Sequence, residues 1–319
     1  MSLPVAFEDV QRAADRVRPY VHRTPVLTSR SFDEQAGFHC FFKCENFQRG
    51  GSFKLRGASN FVFSLSPEER ARGLVAYSSG NHAQAVAIAA RLAGTHATLV
   101  MPADAPRGKL EATAAQGAKI VTYDRHRQSR EAIGRQIAQE TGAILVPPYD
   151  HPWTIAGQGT VALELLEQVP EVDALLVPVG GGGLISGCAV AARGLKPSIR
   201  VYGVEPELAD DTRRSLRERR RVEIPIPETI ADGLRATCPG EITFPIIQAL
   251  VDDVLVVSEE EIRQTMRFLL TRLKIVVEPS GAVAAAAALF RKVPAGVRTA
   301  GIVISGGNVD LELLGKLAT

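Results

Sequence analysis

Short β-branched or apolar runs alternate with helix-length amphipathic segments along nearly the whole chain, and this alternation constrains the fold more than any other feature. Candidate strands fall at 41–45, 74–78, 97–101, 119–123, 143–146, 174–179, 200–204 and 301–304. Helical patterns lie between them at 81–93, 106–116, 128–141 and 154–168. Strand–helix–strand units join parallel neighbours, so the pattern predicts an α/β fold: open, twisted, mostly parallel sheets wrapped by helices. At 319 residues the chain exceeds one small core and suits two lobes. The tight series within 73–150 predicts a small inserted lobe, with 1–72 and 151–319 forming a large one. Several strands run straight into Gly-, Ser- or Asn-rich turns, the edge at which open α/β sheets bind ligands.

Charge and composition exclude other classes. The net charge is +2, which implies no strong pull toward nucleic acid or a membrane surface. One local exception, the arginines between Arg213 and Arg221, reads as a solvated helix face. The longest apolar runs are too short and too broken by Gly and Pro to span a bilayer. The N-terminus, with Val10, Ala13, Ala14 and Val17 on one helical face, resembles neither an export signal nor a transit peptide. Cys40, Cys44, Cys188 and Cys238 lack metal-binding or redox spacing. A cytoplasmic location is expected. The chain stops soon after Ser305, so no C-terminal regulatory domain is expected.

Four strand-end motifs carry chemistry. In ENFQRGGSFKLRGASNF, Gly50 and Gly51 break the chain and Ser52 is expected to cap a helix beginning at Phe53. Lys54 then sits in the first helical turn, where the helix dipole opposes a positive charge. That placement favours a neutral or covalently engaged amine, which imine-forming lysines require. In PVGGGGLISG, a buried strand meets Gly180, Gly181, Gly182 and Gly183 and then a helix. Such a turn lets successive backbone N–H groups converge on one anion, and a phosphate is expected there. The motif is neither a dinucleotide fingerprint nor a P-loop. YSSGNHAQ places Ser78, Ser79, Asn81 and His82 at a third strand-to-helix turn, and ISGGNVD places Ser305 at a fourth.

In this order and spacing, SFKLRGA, SSGNHAQ, GGGG and SGGN resemble the fold-type II pyridoxal-phosphate enzymes, specifically the serine/threonine dehydratase and serine racemase branch. Cysteine and threonine synthases differ in carrying Lys-Asp-Arg where this chain has Lys54-Leu55-Arg56. The resemblance covers about residues 20 to 310 and implies the tryptophan synthase β-like architecture of two lobes. It implies that Lys54 binds pyridoxal 5'-phosphate covalently and acts as base on one face. Phe53 would pack against the pyridine ring, Asn81 would meet the phenolic oxygen, and Gly180 to Gly183 would hold the phosphate. Ser305 would meet the pyridine nitrogen as a neutral partner that cannot keep it protonated, which suits β-elimination or reprotonation at Cα. Ser78, Ser79, Asn81 and His82 would hold the substrate carboxylate at a helix N-terminus. Arg130 matches a position that racemases place close to substrate.

The resemblance further implies a divalent cation (magnesium, manganese or calcium) on Glu205, Asp211 and the carbonyl of Ala209, a donor set suited to hard ions. Asp232 and Glu278 match positions near the active site. The implied activity is β-elimination from L-threonine or L-serine to a 2-oxo acid and ammonia, by a homodimer. Racemisation of serine, or elimination from threo-3-hydroxyaspartate, is the alternative, carried by Ser79 as a proton donor opposite Lys54. A non-catalytic amino-acid-binding shell is the reading from another class; Lys54, the glycine run and Ser305 speak against it.

Overall fold

The computed structural model describes residues 3–78, 80–104, 107–124 and 127–318. The strands are β1 (Val26–Leu27), β2 (His39–Cys44), β3 (Leu74–Tyr77), β4 (Ala97–Pro102), β5 (Lys119–Tyr123), β6 (Ile144–Leu145), β7 (Ala174–Pro178), β8 (Arg200–Pro206), β9 (Asp253–Val257) and β10 (Thr299–Ile304). The first helices are α1 (Phe7–Val17), α2 (Arg30–Ala36), α3 (Lys54–Ser64), α4 (Pro67–Ala71), α5 (Asn81–Leu92), α6 (Arg107–Ala114) and α7 (Arg130–Thr141). They are followed by α8 (Pro152–Gln168), α9 (Gly183–Leu195), α10 (Asp211–Glu218), α11 (Thr243–Leu250), α12 (Glu259–Phe268), α13 (Pro279–Leu289) and α14 (Leu311–Ala318).

These strands form two sheets. The larger runs β1-β2-β10-β7-β8-β9 and is parallel except for β1 against β2. The smaller runs β5-β4-β3-β6 and is parallel throughout. Both faces of the large sheet are covered, so its strands are continuous apolar runs rather than alternating ones. Along β10, Ile302 and Ile304 face one core with the alanine-rich α13, while Val303 faces another with α8 and α9. A third core joins the small sheet to α3 and α5 through Leu55, Val62, Leu74, Val86 and Leu99. Helix α3 therefore supplies apolar side chains to the small-sheet core although it precedes residue 73.

Register places the functional turns on one edge. Ile304 pairs with Cys44 in the parallel ladder, so Ser305 and Glu45 emerge side by side at the carboxyl ends of β10 and β2. Strand β7 ends at Pro178, just before the glycine run.

The structure differs from the sequence reading at the start of α3. Ser52 does not cap it: its backbone bridges to Gly306, and Phe53 occupies the N-cap position without a side-chain cap. The Phe53 N–H donates to Ser305 O at 3.1 Å instead. Tertiary pairing has replaced the local cap, and Lys54 becomes the first helical residue.

Candidate active site

Lys54 leaves the start of α3 and its Nζ donates to Pro148 O at 2.9 Å. The ammonium lies 5.2 Å from the centre of the Phe53 ring. Burial pulls the lysine pKa down to about 8, against an opposing pull from the Glu278 carboxylate. Desolvation penalises the charged amine, so much of it is neutral in mildly basic solution.

The segment that receives Lys54 also reaches the other turns. Val146 O accepts from His82 Nε2 at 2.9 Å, which leaves Nδ1 of that neutral ring as an acceptor. Burial first, and then the Lys54 charge, push the His82 pKa down to about 3. Tyr149 lies on the glycine run: a Cβ added to Gly181 would sit 2.4 Å from the tyrosine Cζ, and one on Gly183 would sit 2.8 Å from Tyr149 Cβ. Gly182 has φ +92°, and a Cβ there would meet Thr243 Oγ1 at 2.7 Å. Only glycine fits this turn, because a side chain would be both strained and blocked. The turn is further tied by Thr243 Oγ1 and Gly240 N, which donate to Gly181 O at 2.8 and 3.2 Å. It leads into α9, whose first-turn amides have no partner within the helix and so favour an anion.

Ser305 is 3% exposed, and its hydroxyl donates to Ser280 O at 3.4 Å. Ser280 Oγ in turn accepts from Gly233 N at 2.9 Å, beside the Asp232–Leu234 turn that packs on Gly180. Asn81 opens α5 and bonds both Glu278 and Asn308. Thus Lys54, Asn81, His82, Ser305 and Gly180 to Gly183 form one connected cluster. Ser78 lies at the end of β3, where its hydroxyl accepts from Gly80 N at 3.2 Å. Ser79, the second-face donor expected from the sequence, lies outside the described residues. Arg130 opens α7 with its side chain 48% exposed and pairs with Glu131 at 2.8 Å. Its nearest links to the cluster are electrostatic, through the Tyr77 and Tyr149 phenols.

The residues expected at the cation site also meet. Glu205, at the end of β8, accepts from Thr212 N and Arg213 N at 3.1 and 3.0 Å. Both Asp211 carboxylate oxygens are buried and have no hydrogen-bond partner among the described residues. Burial raises the Asp211 pKa to about 7; burial, and next the Asp211 charge, push Glu205 well up. Ala209 is fully buried between them in sequence. Among the described residues no group of three or more His, Cys, Asp or Glu side chains is gathered as a metal site. The arginines from Arg214 to Arg221 are exposed, with Arg214 paired to Asp210 and Arg221 to Glu241, whereas Arg213 is half-buried.

Sequence reasoning missed Tyr149 and Pro148. A tyrosine after two prolines carries no motif, and only the packing on Gly181 reveals it.

A half-buried lysine with a depressed pKa, joined through the Pro148–Tyr149 segment to a strand-end glycine turn that opens a helix, fits an α/β enzyme built for covalent chemistry on a phosphate-anchored carbonyl group. Comparison with known proteins agrees: the chain belongs to the pyridoxal-phosphate dependent enzyme family, whose sequence model matches residues 17–306. It is 52% identical over 306 residues to the L-threo-3-hydroxyaspartate ammonia-lyase of Saccharomyces cerevisiae, covering 96% of this chain and 94% of that one. Its fold superposes on maize serine racemase with a TM-score of 0.95 at 47% identity, covering 98% and 96% of the two chains. A threonine deaminase from T.th. matches with a TM-score of 0.89 at 45% identity, covering 96% and 99%. The architecture is that of the fold-type II pyridoxal-phosphate enzymes, and the chain is a pyridoxal-phosphate dependent enzyme of the dehydratase and racemase branch.

Proposed function

We propose that the chain is an ammonia-lyase that removes the β-hydroxyl and the amino group from small β-hydroxy amino acids, with L-threonine and L-serine as substrates. The observation that carries this reading is Lys54, a half-buried amine of depressed pKa in one cluster with the glycine turn and Ser305. The residues fit the cofactor: Gly181, Gly182 and Gly183, where a Cβ would clash, would cradle its phosphate with Gly180, Phe53 would flank the ring, Asn81 would supply an amide and Ser305 a neutral hydroxyl. Pyridoxal phosphate, when bound, supplies the electron sink that makes the α-proton removable. Lys54 takes that proton at Nζ, and its depressed pKa suits a base working near neutrality. Ser305, a neutral hydroxyl, would leave the pyridine nitrogen unprotonated, and a weaker electron sink of that kind would suit β-elimination over transamination. The amides at the start of α5 orient the substrate carboxylate beside Ser78 and His82.

The names of the relatives favour a second reading at the same site: elimination from L-threo-3-hydroxyaspartate, or racemisation of serine. In that reading Ser79 is the proton donor on the second face and Arg130 a substrate contact. Glu205, Asp211 and Ala209 O would hold a structural divalent cation, which would satisfy the Asp211 carboxylate that has no hydrogen-bond partner among the described residues. Four free thiols suit the reducing cytoplasm, and the resemblance carries the homodimer and the domain limits 73–150 for the small lobe.

Purified protein should be yellow and bleach with hydroxylamine. Lys54→Ala should fold yet lose the visible band and all turnover; a variant that keeps both would overturn the assignment. Incubation with each enantiomer of serine, threonine and 3-hydroxyaspartate, scored for oxo acid and chirality, separates the readings. Ser79→Ala should abolish inversion while elimination from the L-enantiomer survives, because elimination needs only the base on the lysine side.

A further inference from the structure

The hydrogen bonds around Asn81 decide which way its amide points. Asn81 Nδ2 donates to Glu278 Oε1 at 2.6 Å, and Asn81 Oδ1 accepts from Asn308 Nδ2 at 2.8 Å. An ionised carboxylate only accepts, so Nδ2 must face Glu278. The Asn308 amide is oriented too: its Nδ2 also faces Gly50 O at 2.8 Å and Gln84 Oε1 at 3.2 Å, and all three partners are acceptors. Reversing Asn81 would set oxygen against carboxylate and NH2 against NH2. Both bonds would fail together.

Glu278 is itself held in place. It is 5% exposed, occupies the N-cap of α13, and its N–H donates to Gly306 O at 3.1 Å. A Cβ on Gly306 would lie 2.2 Å from Glu278 Oε1, so glycine is required for the carboxylate to reach Asn81. The three residues come from separate elements: Asn81 opens α5 beside the small sheet, while Glu278 and Asn308 stand at turns of the large one.

We infer that Glu278 is a positioning residue: its bond to Asn81 selects the amide orientation that offers an N–H to the cofactor, and latches α5 to the large sheet. The inference rests on the proposed function, in which Asn81 meets the phenolic oxygen of the cofactor. An amide N–H serves such an oxygen and an amide oxygen repels it.

Glu278→Gln keeps the shape but lets either end of the new amide face Asn81, so the carboxylate's selection is lost and only the Asn308 contact still favours one orientation. In the purified holoenzyme the visible band should shift, the cofactor Kd from equilibrium dialysis should rise about tenfold, and kcat should fall more than KM changes. If the residue acts through Asn81, adding Glu278→Gln to Asn81→Ala should change band and Kd less than about twofold. Asn308→Asp, which turns a donor into an acceptor opposite Asn81 Oδ1, should shift the same band even if the first variant folds poorly. An unshifted band in both variants, or a full tenfold loss persisting in the Asn81→Ala background, would overturn the inference. Lys54→Ala measured alongside tells the two levels apart. Should it retain the visible band, the functional reading fails; should it lose the band while Glu278→Gln leaves the spectrum unmoved, only the positioning role fails.

Discussion

Lys54 shows how a residue's chemistry is set by what surrounds it. An ordinary lysine is almost wholly charged near neutrality, whereas burial moves this one from 10.5 to about 8. The rate at which cofactor-free protein takes up pyridoxal phosphate covalently should therefore rise with an apparent pKa near 8, measured by stopped-flow absorbance. A rise centred near 10.5 would show an ordinary exposed amine. The linkage has a definite sign. Between pH 8 and 10.5 the unfolded chain still binds the proton that the folded state has released, so the Lys54 contribution to stability of the cofactor-free protein grows with pH across that window. The helix dipole pulls in the same direction, but burial is the largest cause and no motif encodes it. Lys43 is likewise pulled down by burial, but against the Glu164 and Glu45 carboxylates. It lies in the apolar run FHCFFKCE, yet is fully buried, with Nζ donating to Glu164, Gln168 and Thr24 O at 2.8, 2.8 and 2.9 Å.

At the scale of elements, most strands and helices follow from periodicity, since alternation and the 3.6-residue repeat are local properties. Strand β1 escapes because two residues hold no pattern, and β9 because Asp252 and Asp253 precede a short apolar run. The packing between helices is less visible. Helices α8 and α9 touch backbone to backbone: a Cβ on Gly187 would lie 2.2 Å from Ile155 O and 2.5 Å from Gly159 N. Gly187→Ala should force them apart and cost about 1–3 kcal/mol, the range for overpacked cores, read as a lower urea midpoint. Helix α3 is anchored by charge instead. Arg56, fully buried, forms bonds of 2.8 and 2.9 Å to Glu45 and of 2.8 Å to Glu164. Arg56→Met should destabilise the fold by about 3–5 kcal/mol, because it leaves the fully buried Glu45 without its guanidinium and Glu164 with Lys43 alone, and calorimetry of the purified variant checks it.

For the whole molecule, the proposed cation site would link stability to a ligand. A hard cation bound only by the folded state stabilises it by mass action, and here it would relieve two buried carboxylates at once. Exhaustive chelation should lower the melting temperature, and added magnesium, manganese or calcium should restore it. Asp211→Ala should melt low from the outset and ignore the chelator. A melting temperature unmoved by chelation would leave Glu205 and Asp211 as a buried acid pair without a metal.

The α/β class and the strand-end placement of the motifs were legible in the chain because each depends on residues close together along it, while the cofactor was legible only through the resemblance that the four motifs carry in order. Glycines after a strand, a lysine after a glycine pair and a serine at a strand end can be read without knowing what lies opposite. Folding in three dimensions was needed to pair Ser52 with Gly306 rather than leave it capping α3, to seal the glycine turn with Tyr149, and to orient Asn81 between Glu278 and Asn308. Those partners are far apart in sequence and meet only when the sheets assemble. Desolvation, which sets the Lys54 and His82 pKa values, likewise arises from everything packed around a group, and no local spacing records it.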